Sequence, residues 1–160
     1  MIKLNIQGWE IEVDLEKTIE YYDMIDKERL LSCCLYCKNY FYGIRKSSKI
    51  LNDLFLKLGI VPEKAAHVSK LARIEKNRYL YEAEYLLTGE IITKPNDTDI
   101  ISDNGNVTIN LTVLSDSISF HFRDTPITFG EIDLCQRPIL SFQLVCEIAW
   151  FLDELPNQIN

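Results

Sequence analysis

The sequence predicts an α+β fold with an N-terminal β-hairpin, central helices and a C-terminal antiparallel sheet. Three observations predict it: runs that alternate polar and apolar residues open the chain, apolar residues at helical spacing fill its middle, and alternation returns from about residue 71. Alternation and helical spacing are the main sequence signals of strands and helices. Because the later strands follow one another without intervening helices, an antiparallel sheet is favoured.

The length and composition are those of one globular domain. The chain has 160 residues, of which 47% are hydrophobic and 26% charged, so we expect a single domain over residues 1–160. A domain of this size buries roughly 70% of its unfolded surface and needs no disulfide or metal to fold.

The first elements are a hairpin and a helix. Residues 2–6 and 9–13 alternate around a Gln-Gly pair, which predicts two strands joined by a tight turn. Residues 15–26 carry apolar residues at helical spacing, and Asp14 is the expected N-cap. The residues expected to face inward are Leu15, Ile19, Tyr22 and Ile25.

The middle of the chain predicts helices over residues 38–46 and 48–58, either separate or as one kinked helix. Gly59 follows them, where a helix end favours a left-handed residue. A proline at the first turn predicts a further short helix over residues 62–68, with His67 at the edge of the core.

The second half of the chain predicts the strands of the sheet. They cover residues 72–75, 78–92, 107–114, 118–123 and 139–151, the last being among the longest. Between them, residues 96–106 predict a polar loop and residues 126–138 an irregular segment. His121 alternates with two phenylalanines in its strand, so we expect it to face water or a shallow groove.

Charge is distributed unevenly along the chain. The formal net charge is −7, and it divides into −4 over residues 1–37, +7 over residues 38–78 and −10 over residues 79–160. The overall acidity disfavours nonspecific binding to nucleic acid or to an anionic membrane. An acidic surface would instead attract a basic protein partner.

Four carboxylates of the acidic half are the candidate partner-binding residues. They are Glu131, Asp133, Asp153 and Glu154, which would form a negative patch if they gather near one end of the sheet. The alternatives are that these acidic residues are dispersed over the surface or that they pair with basic residues from the middle of the chain. Those are Lys38, Arg45, Lys46 and Lys49.

Cys34 and Cys37 form a C-x-x-C motif ahead of a predicted helix. Two thiolates could ligate zinc, but a structural zinc site takes four ligands and the remaining candidates have no standard spacing. A helix that follows such a motif can stabilise a thiolate, as thiol-redox proteins require. The third interpretation is that the cysteines pack as small apolar residues or cap the helix.

Localisation and function follow from what the sequence lacks. The N-terminus has no apolar core of a signal peptide, and no apolar stretch approaches the roughly 20 residues of a membrane helix. The five cysteines, an odd number, fit reduced thiols, so we expect a cytoplasmic protein without a membrane segment. No hydrolase, metalloprotease, Walker or dinucleotide-binding motif is present.

The leading functional hypothesis is therefore a noncatalytic cytosolic binding protein that acts through a protein–protein surface and uses no cofactor. An immunity or inhibitor protein, which neutralises a basic toxin, is one such role. The alternative is a small zinc-binding or thiol-redox protein centred on Cys34 and Cys37.

Four segments resemble an uncharacterised family of small bacterial cytosolic proteins. Residues 34–40 are similar to its C-x-x-C-[RK]-N-[FY] motif, and residues 144–154 to its closing [PA]-W-x-L-[DE]-E segment. Residues 55–66 and 85–91 resemble the segments between them. The resemblance implies a single cytosolic domain and no particular activity.

Three positions depart from that family. Ser32 stands where the family often has a further cysteine, and Leu86 and Leu87 stand where it often has Tyr-His. Ala149 replaces a proline before the final tryptophan. Because the departures remove a cysteine and a histidine, the resemblance implies a poor set of zinc ligands.

Overall fold

The chain forms an α+β fold, in which three α-helices pack on one face of a seven-stranded antiparallel sheet within the described residues. The computed structural model describes residues 1–26, 34–96, 98–101, 104–105, 107–127 and 132–156. No helix within these ranges is long and apolar enough to cross a bilayer.

The helices come between the second and third strands. They are α1 (Leu15–Met24), α2 (Leu35–Ser47) and α3 (Lys49–Leu58). The strands are β1 (Ile2–Ile6), β2 (Trp9–Val13), β3 (His67–Glu75), β4 (Arg78–Thr93), β5 (Asp99–Ile101), β6 (Val107–Ile109), β7 (Thr112–Ser115), β8 (Ile118–Arg123) and β9 (Ile139–Ala149). The strand order of the large sheet is β1-β2-β4-β9-β8-β7, and β3 pairs with the first half of β4.

Local sequence explains the predicted ends of these elements. Gln7 and Gly8 have φ angles of 47° and 89°, which makes the tight hairpin turn possible. The Asp14 carboxylate accepts a hydrogen bond from the Lys17 backbone N–H at 3.1 Å and caps α1. Gly59, with φ 73°, ends α3. The predicted hairpin, N-cap and C-cap are confirmed.

An aromatic layer joins the helices to the sheet. The Tyr40 hydroxyl of α2 donates to the Tyr85 hydroxyl at 2.5 Å, and Tyr85 donates to the Pro62 carbonyl at 2.7 Å. The Phe55 ring of α3 lies 5.2 Å from the Tyr85 ring. The Tyr22 hydroxyl of α1 donates to a carbonyl of β4 at 2.9 Å. We call this side of the sheet the helix-covered face.

The sheet curves so strongly that β2, near one end of the strand order, contacts β7 at the other end. The Trp9 indole N–H of β2 donates to the Thr112 hydroxyl of β7 at 2.9 Å. The Trp9 ring also lies 5.4 Å from the Phe122 ring of β8. The N-terminal hairpin therefore closes against the last strands of the sheet order.

The inward face of α1 differs from the prediction by one position. Ile19 is 50% exposed, whereas Thr18 and Tyr21 are buried. The reason is a hydrogen bond: the Thr18 hydroxyl accepts the backbone N–H of Thr88 in β4 at 3.1 Å. That bond places residue 18 against the sheet and rotates Ile19 toward solvent.

Two neighbouring elements differ in length from the prediction: the helix is shorter, and the strand after it begins earlier. The helix over residues 62–68 is a single 3-10 turn, Pro62–Lys64, because the Ala66 N–H already donates to the Glu84 carbonyl at 2.7 Å. His67 is therefore the first residue of β3 rather than part of a helix.

The strand predicted over residues 107–114 is two strands. Its first part is β6, which pairs with β5 in a separate two-stranded sheet, and its second part is β7. β5 itself lies within residues 96–106, which were expected to form a loop. β8 has the predicted bounds, and β9 has 11 residues.

Candidate functional site

A cleft of about 550 Å³ opens beside the start of β9. Its walls carry the exposed side chains of Glu90, Asp124 and Arg137, next to Gly89 and Ile139. Glu90 comes from β4 and Asp124 follows β8, so two neighbours of β9 supply the carboxylates. The arrangement presents two negative charges and one positive charge in one concave surface.

Gly89 determines how closely β2 approaches this cleft. A Cβ atom on Gly89 would lie 2.3 Å from the Glu12 carbonyl oxygen, so a larger residue would push β2 away. The close approach makes Glu12 the register partner of Glu90. Carboxylates directly opposite on neighbouring strands repel each other.

Two further carboxylates lie at the same end of the sheet. The Thr88 hydroxyl donates to the Gln136 carbonyl at 2.7 Å, and the Gln136 amide donates to the Glu20 carboxylate at 3.2 Å. Asp133 is exposed in the 3-10 turn Ile132–Leu134, just before Gln136. We use the name acidic cleft for the lining residues Glu90, Asp124 and Arg137 together with Glu12, Glu20 and Asp133, which lie at the same end of the sheet but do not line the cleft.

The sequence-predicted acidic residues are divided by the fold. Asp133 belongs to the acidic cleft, whereas Asp153 and Glu154 follow the other end of β9. A strand rises about 3.4 Å per residue, so the ends of β9 are roughly 30 Å apart. Glu131 lies outside the described residues. The structure therefore does not bring Asp133 together with Asp153 and Glu154.

Two basic residues of the middle segment form ion pairs within that segment. The Arg45 guanidinium donates to the Glu63 carboxylate at 2.9 Å, and the Lys49 ammonium lies 2.9 Å from the Asp53 carboxylate. The Lys46 ammonium lies over the Tyr42 ring. Within the described part of the chain, none of the five carboxylates of the acidic cleft forms an ion pair. Arg45 and Lys49, which the alternative prediction pairs with the acidic half, therefore pair within the middle segment, whereas Arg78 lies 3.8 Å from the Glu147 carboxylate of the acidic half.

Cys34 and Cys37 occupy the start of α2. Cys34 is the N-cap residue and is exposed, while Cys37 is half-buried in the first turn. Their Sγ atoms are 3.3 Å apart, and the Cys37 Sγ lies 3.8 Å from the Val68 carbonyl oxygen. The interpretation that both cysteines pack as apolar residues is therefore wrong for Cys34.

The zinc hypothesis gains no further ligands from the fold. Among the residues that the structure describes, no three His, Cys, Asp or Glu side chains are grouped to hold a metal ion. Cys33 lies outside the described ranges. Zinc binding by Cys34 and Cys37 thus stays a prediction from the motif.

Three of the described cysteines have thiol pKa values shifted from the ordinary value, one downward and two upward. Burial is the largest influence on the pKa of Cys34 and raises it, but hydrogen bonds with Cys37 and with the Tyr36 N–H outweigh burial and lower the pKa overall. Burial raises the pKa of Cys135 to about 11 and that of Cys146 to about 12. At neutral pH the thiolate form is therefore concentrated at Cys34.

A row of polar side chains crosses the sheet on the face opposite the helices. The register pairs His67 with Glu84, Glu84 with Gln143, and Gln143 with His121. Glu84 is 3% exposed. Its carboxylate accepts the Ser141 hydroxyl at 2.7 Å and a backbone N–H from the segment after β8 at 2.9 Å. We call this side the loop-covered face.

The alternation of His121 with phenylalanines predicts that it faces water or a shallow groove, but the residue is buried. It is 3% exposed, and its ring lies edge-on to the Trp9 ring at 5.1 Å. The prediction is wrong because the N-terminal hairpin closes on β8 and places Trp9 against His121. Alternation predicts two faces of a strand but does not predict what covers each.

Sequence reasoning missed most of the acidic cleft. Glu12 and Glu90 are 78 positions apart and become neighbours only through the pairing of β2 with β4. The signal that could have found them is Gly89, which stands inside a long predicted strand and indicates a close backbone approach. Glu84 and Ser141 gave no comparable signal.

No protein-family model matches the chain, and neither a curated protein nor a solved structure shows significant similarity to it. The resemblance to small bacterial proteins therefore stays a prediction from the quoted motifs.

Proposed function

We propose that the protein is a cytosolic binding protein, without catalysis or cofactor, whose acidic cleft receives a basic segment of a partner protein. An immunity or inhibitor protein that captures a basic toxin is one such role. The observation that supports the proposal is the register pair Glu12 and Glu90, two acidic residues directly opposite on β2 and β4, of which Glu90 lines the cleft together with Asp124.

The energetics of this pair favour a bound cation. Like charges directly opposite on neighbouring strands destabilise the free protein, and a guanidinium or ammonium group between them removes that repulsion. Because Glu90 and Asp124 are exposed, the attraction also extends into solvent. Such a field raises the association rate of a basic partner and weakens as salt screens it over about 10 Å at 0.1 M.

The cleft also has the size and asymmetry for selective binding. A volume of about 550 Å³ accommodates several side chains of a peptide segment. Arg137 lies on the same wall and would pair with a carboxylate of the partner. A basic segment that includes one acidic residue therefore fits the cleft better than an uninterrupted basic run.

The proposal is tested with a fluorescently labelled oligo-arginine peptide and two matched variants. The Glu90→Lys/Asp124→Lys double variant reverses the cleft, and the Asp153→Lys/Glu154→Lys variant makes the same change of net charge at the far end of β9. We expect the cleft variant to weaken binding about tenfold or more at low salt, and the far-end variant to change it little. Fluorescence anisotropy measures both.

Equal weakening by the two variants would show that net charge alone attracts the peptide and would contradict the proposal. A second experiment uses native lysate, from which the wild-type protein should recover a stoichiometric basic protein and the cleft variant should not. Turnover of a small molecule without such a partner would replace a binding role by an enzymatic one.

A further inference from the structure

The acidic cleft makes no use of the Cys34-x-x-Cys37 motif, and the fold gives that motif the geometry of a reactive dithiol. The two Sγ atoms are 3.3 Å apart, and Cys34 is exposed at the start of a 13-residue helix. The Sγ–Sγ bond of a disulfide is about 2.05 Å, so the sulfurs must approach by only about 1 Å to form one. Rotation of the exposed Cys34 side chain can supply that movement.

The start of α2 favours a negative charge on Cys34. Backbone N–H groups of the first turn of a helix have no partner within the helix, and the helix dipole adds positive potential at the N-cap position that Cys34 occupies. The hydrogen bonds from Cys37 and Tyr36 lower the pKa of Cys34, although its partial burial opposes this. Thiolates, and not thiols, attack disulfides.

Neighbouring side chains hold the motif in place. The Tyr36 ring, between the two cysteines, makes edge contacts with the rings of Tyr79 at 5.4 Å and Trp150 at 5.8 Å. The Lys70 ammonium lies 4.3 Å from the centre of the same ring. The turn that presents Cys34 is therefore fixed to β3, β4 and the end of β9.

One turn along α2, a buried amide anchors the helix to the sheet. The Asn39 side chain donates to the Ala149 carbonyl at 3.1 Å and accepts the Phe151 N–H at 2.8 Å. It also donates to the Tyr81 hydroxyl at 3.3 Å. Because Asn39 follows Cys37 by two residues, these bonds limit the motion of the dithiol relative to the sheet.

We propose that Cys34 and Cys37 form a dithiol–disulfide couple that exchanges with a substrate disulfide. The Cys34 thiolate attacks one sulfur of the substrate, whose S–S bond breaks, and the released thiolate takes a proton from water. Cys37 then loses its proton and attacks the Cys34 sulfur of the mixed disulfide, releasing the second substrate thiol. Two electrons pass from the dithiol to the substrate, which ends as two thiols.

The experiment follows the reduced full-length protein with hydroxyethyl disulfide, a small neutral probe, and with insulin, a protein disulfide. All variants carry Cys33→Ser, so that this neighbouring thiol does not contribute. We expect Cys34 to react at least about a hundredfold faster than Cys135 and Cys146, whose thiolate fractions are far smaller. Mass spectrometry should show loss of two hydrogen atoms from the peptide that contains Cys34 and Cys37.

Two variants separate the steps. Cys37→Ser should accumulate a mixed disulfide at Cys34, and Cys34→Ser should abolish rapid reaction with both probes. The pH profile of the first step should have its midpoint below the ordinary thiol pKa. Reaction with hydroxyethyl disulfide alone assigns a low-molecular-weight substrate, whereas reaction with insulin as well assigns a protein disulfide.

Three results would overturn the couple. One is a Cys34 reaction no faster than that of an unstructured cysteine peptide, and another is a Cys37→Ser variant that traps no mixed disulfide. The third is about one zinc per chain in protein purified without chelator, lost when both cysteines are serine. None of these results bears on the acidic cleft, whose variants leave the cysteines unchanged.

Discussion

The two faces of the large sheet bury polar groups of different kinds. The helix-covered face buries the hydroxyl groups of Tyr22, Tyr40, Tyr81 and Tyr85. The loop-covered face buries the Glu84 carboxylate together with Ser141 and Gln143. On the helix-covered face, side chains of the helices pack against the sheet. The buried hydroxyls there form hydrogen bonds with one another and with carbonyl groups. The segment after β8 offers backbone N–H groups, which stabilise a buried carboxylate.

Adjacent residues of one strand, which point to opposite faces of the sheet, therefore bury polar groups of different kinds. Tyr85 and Glu84 are neighbours in β4, yet the first is held as a neutral hydroxyl and the second as an acceptor of two hydrogen bonds. The covering element, rather than the strand, decides which polar group can be buried. The following predictions test this difference, starting with the largest expected effect.

The helix-covered face should make the protein unfold steeply above pH 10. Burial is the main cause that raises the pKa of all four tyrosines above the ordinary value of 10.0. Above that pH the unfolded state loses these protons and the folded state keeps them, so stability is complete below pH 10 and falls as pH rises. Four groups give a slope of about 5 kcal/mol per pH unit.

Circular dichroism and tyrosinate absorbance measured across the same pH range check this prediction. The part of the absorbance change that comes from the four buried tyrosines should coincide with the loss of circular dichroism, because these groups ionise only on unfolding. Tyr85→Phe should reduce the slope by about a quarter, and Tyr42→Phe, at an exposed tyrosine, should leave it unchanged. Full tyrosine ionisation in a chain that stays folded would contradict the burial argument.

On the loop-covered face, Glu84→Ala should destabilise the protein by about 3 kcal/mol at neutral pH. The substitution leaves the Ser141 hydroxyl and the Ile127 N–H without their acceptor. Glu84→Gln keeps an acceptor oxygen and should lose less than half as much. Urea unfolding monitored by fluorescence measures all three proteins.

The matched control for Glu84 is Glu82→Ala. Glu82 lies two residues earlier on the same face of β4, but it is half-exposed. Its replacement should change the free energy of unfolding by no more than about 0.5 kcal/mol. Similar effects of the two substitutions would show that covering by the segment after β8 does not distinguish the sites.

The smallest effect is expected from a single neutral hydroxyl. Tyr85→Phe should lower the free energy of unfolding by about 1.5 kcal/mol at neutral pH, because the Tyr40 hydroxyl loses its acceptor and the Pro62 carbonyl its donor. Tyr42→Phe again serves as the exposed control. A larger loss of stability for Tyr85→Phe than for Glu84→Ala would contradict the expectation that, at neutral pH, a substitution on the loop-covered face costs more than one on the helix-covered face.

Much of the fold was predictable from the sequence because its signals are local. The hairpin turn, the Asp14 cap, Gly59 and the bounds of β8 depend on residues within a few positions of one another. The proline after Gly59 predicts a longer helix than the observed 3-10 turn, because a proline at the first turn is common in α-helices and in 3-10 turns alike. The chain joins β4 there through a contact that no local pattern contains.

The candidate sites were predictable only in part. The C-x-x-C motif precedes a helix as expected, because both cysteines and the helix are local. The acidic half of the chain was also recognised, but its grouping was not. Asp133 lies at the same end of the sheet as Glu90 because the Gln136 carbonyl, three residues later, accepts the Thr88 hydroxyl of β4, and no local pattern contains that tertiary contact.

The position of β9 has a consequence for synthesis on the ribosome. β9 pairs with β4 on one side and β8 on the other, so the last strand of the described chain lies inside the sheet. While residues 139–149 are still within the ribosomal exit tunnel, β4 and β8 have emerged without their shared neighbour. The nascent chain then exposes two unpaired strand edges, which are templates for aggregation, and the sheet can close only after translation has passed β9.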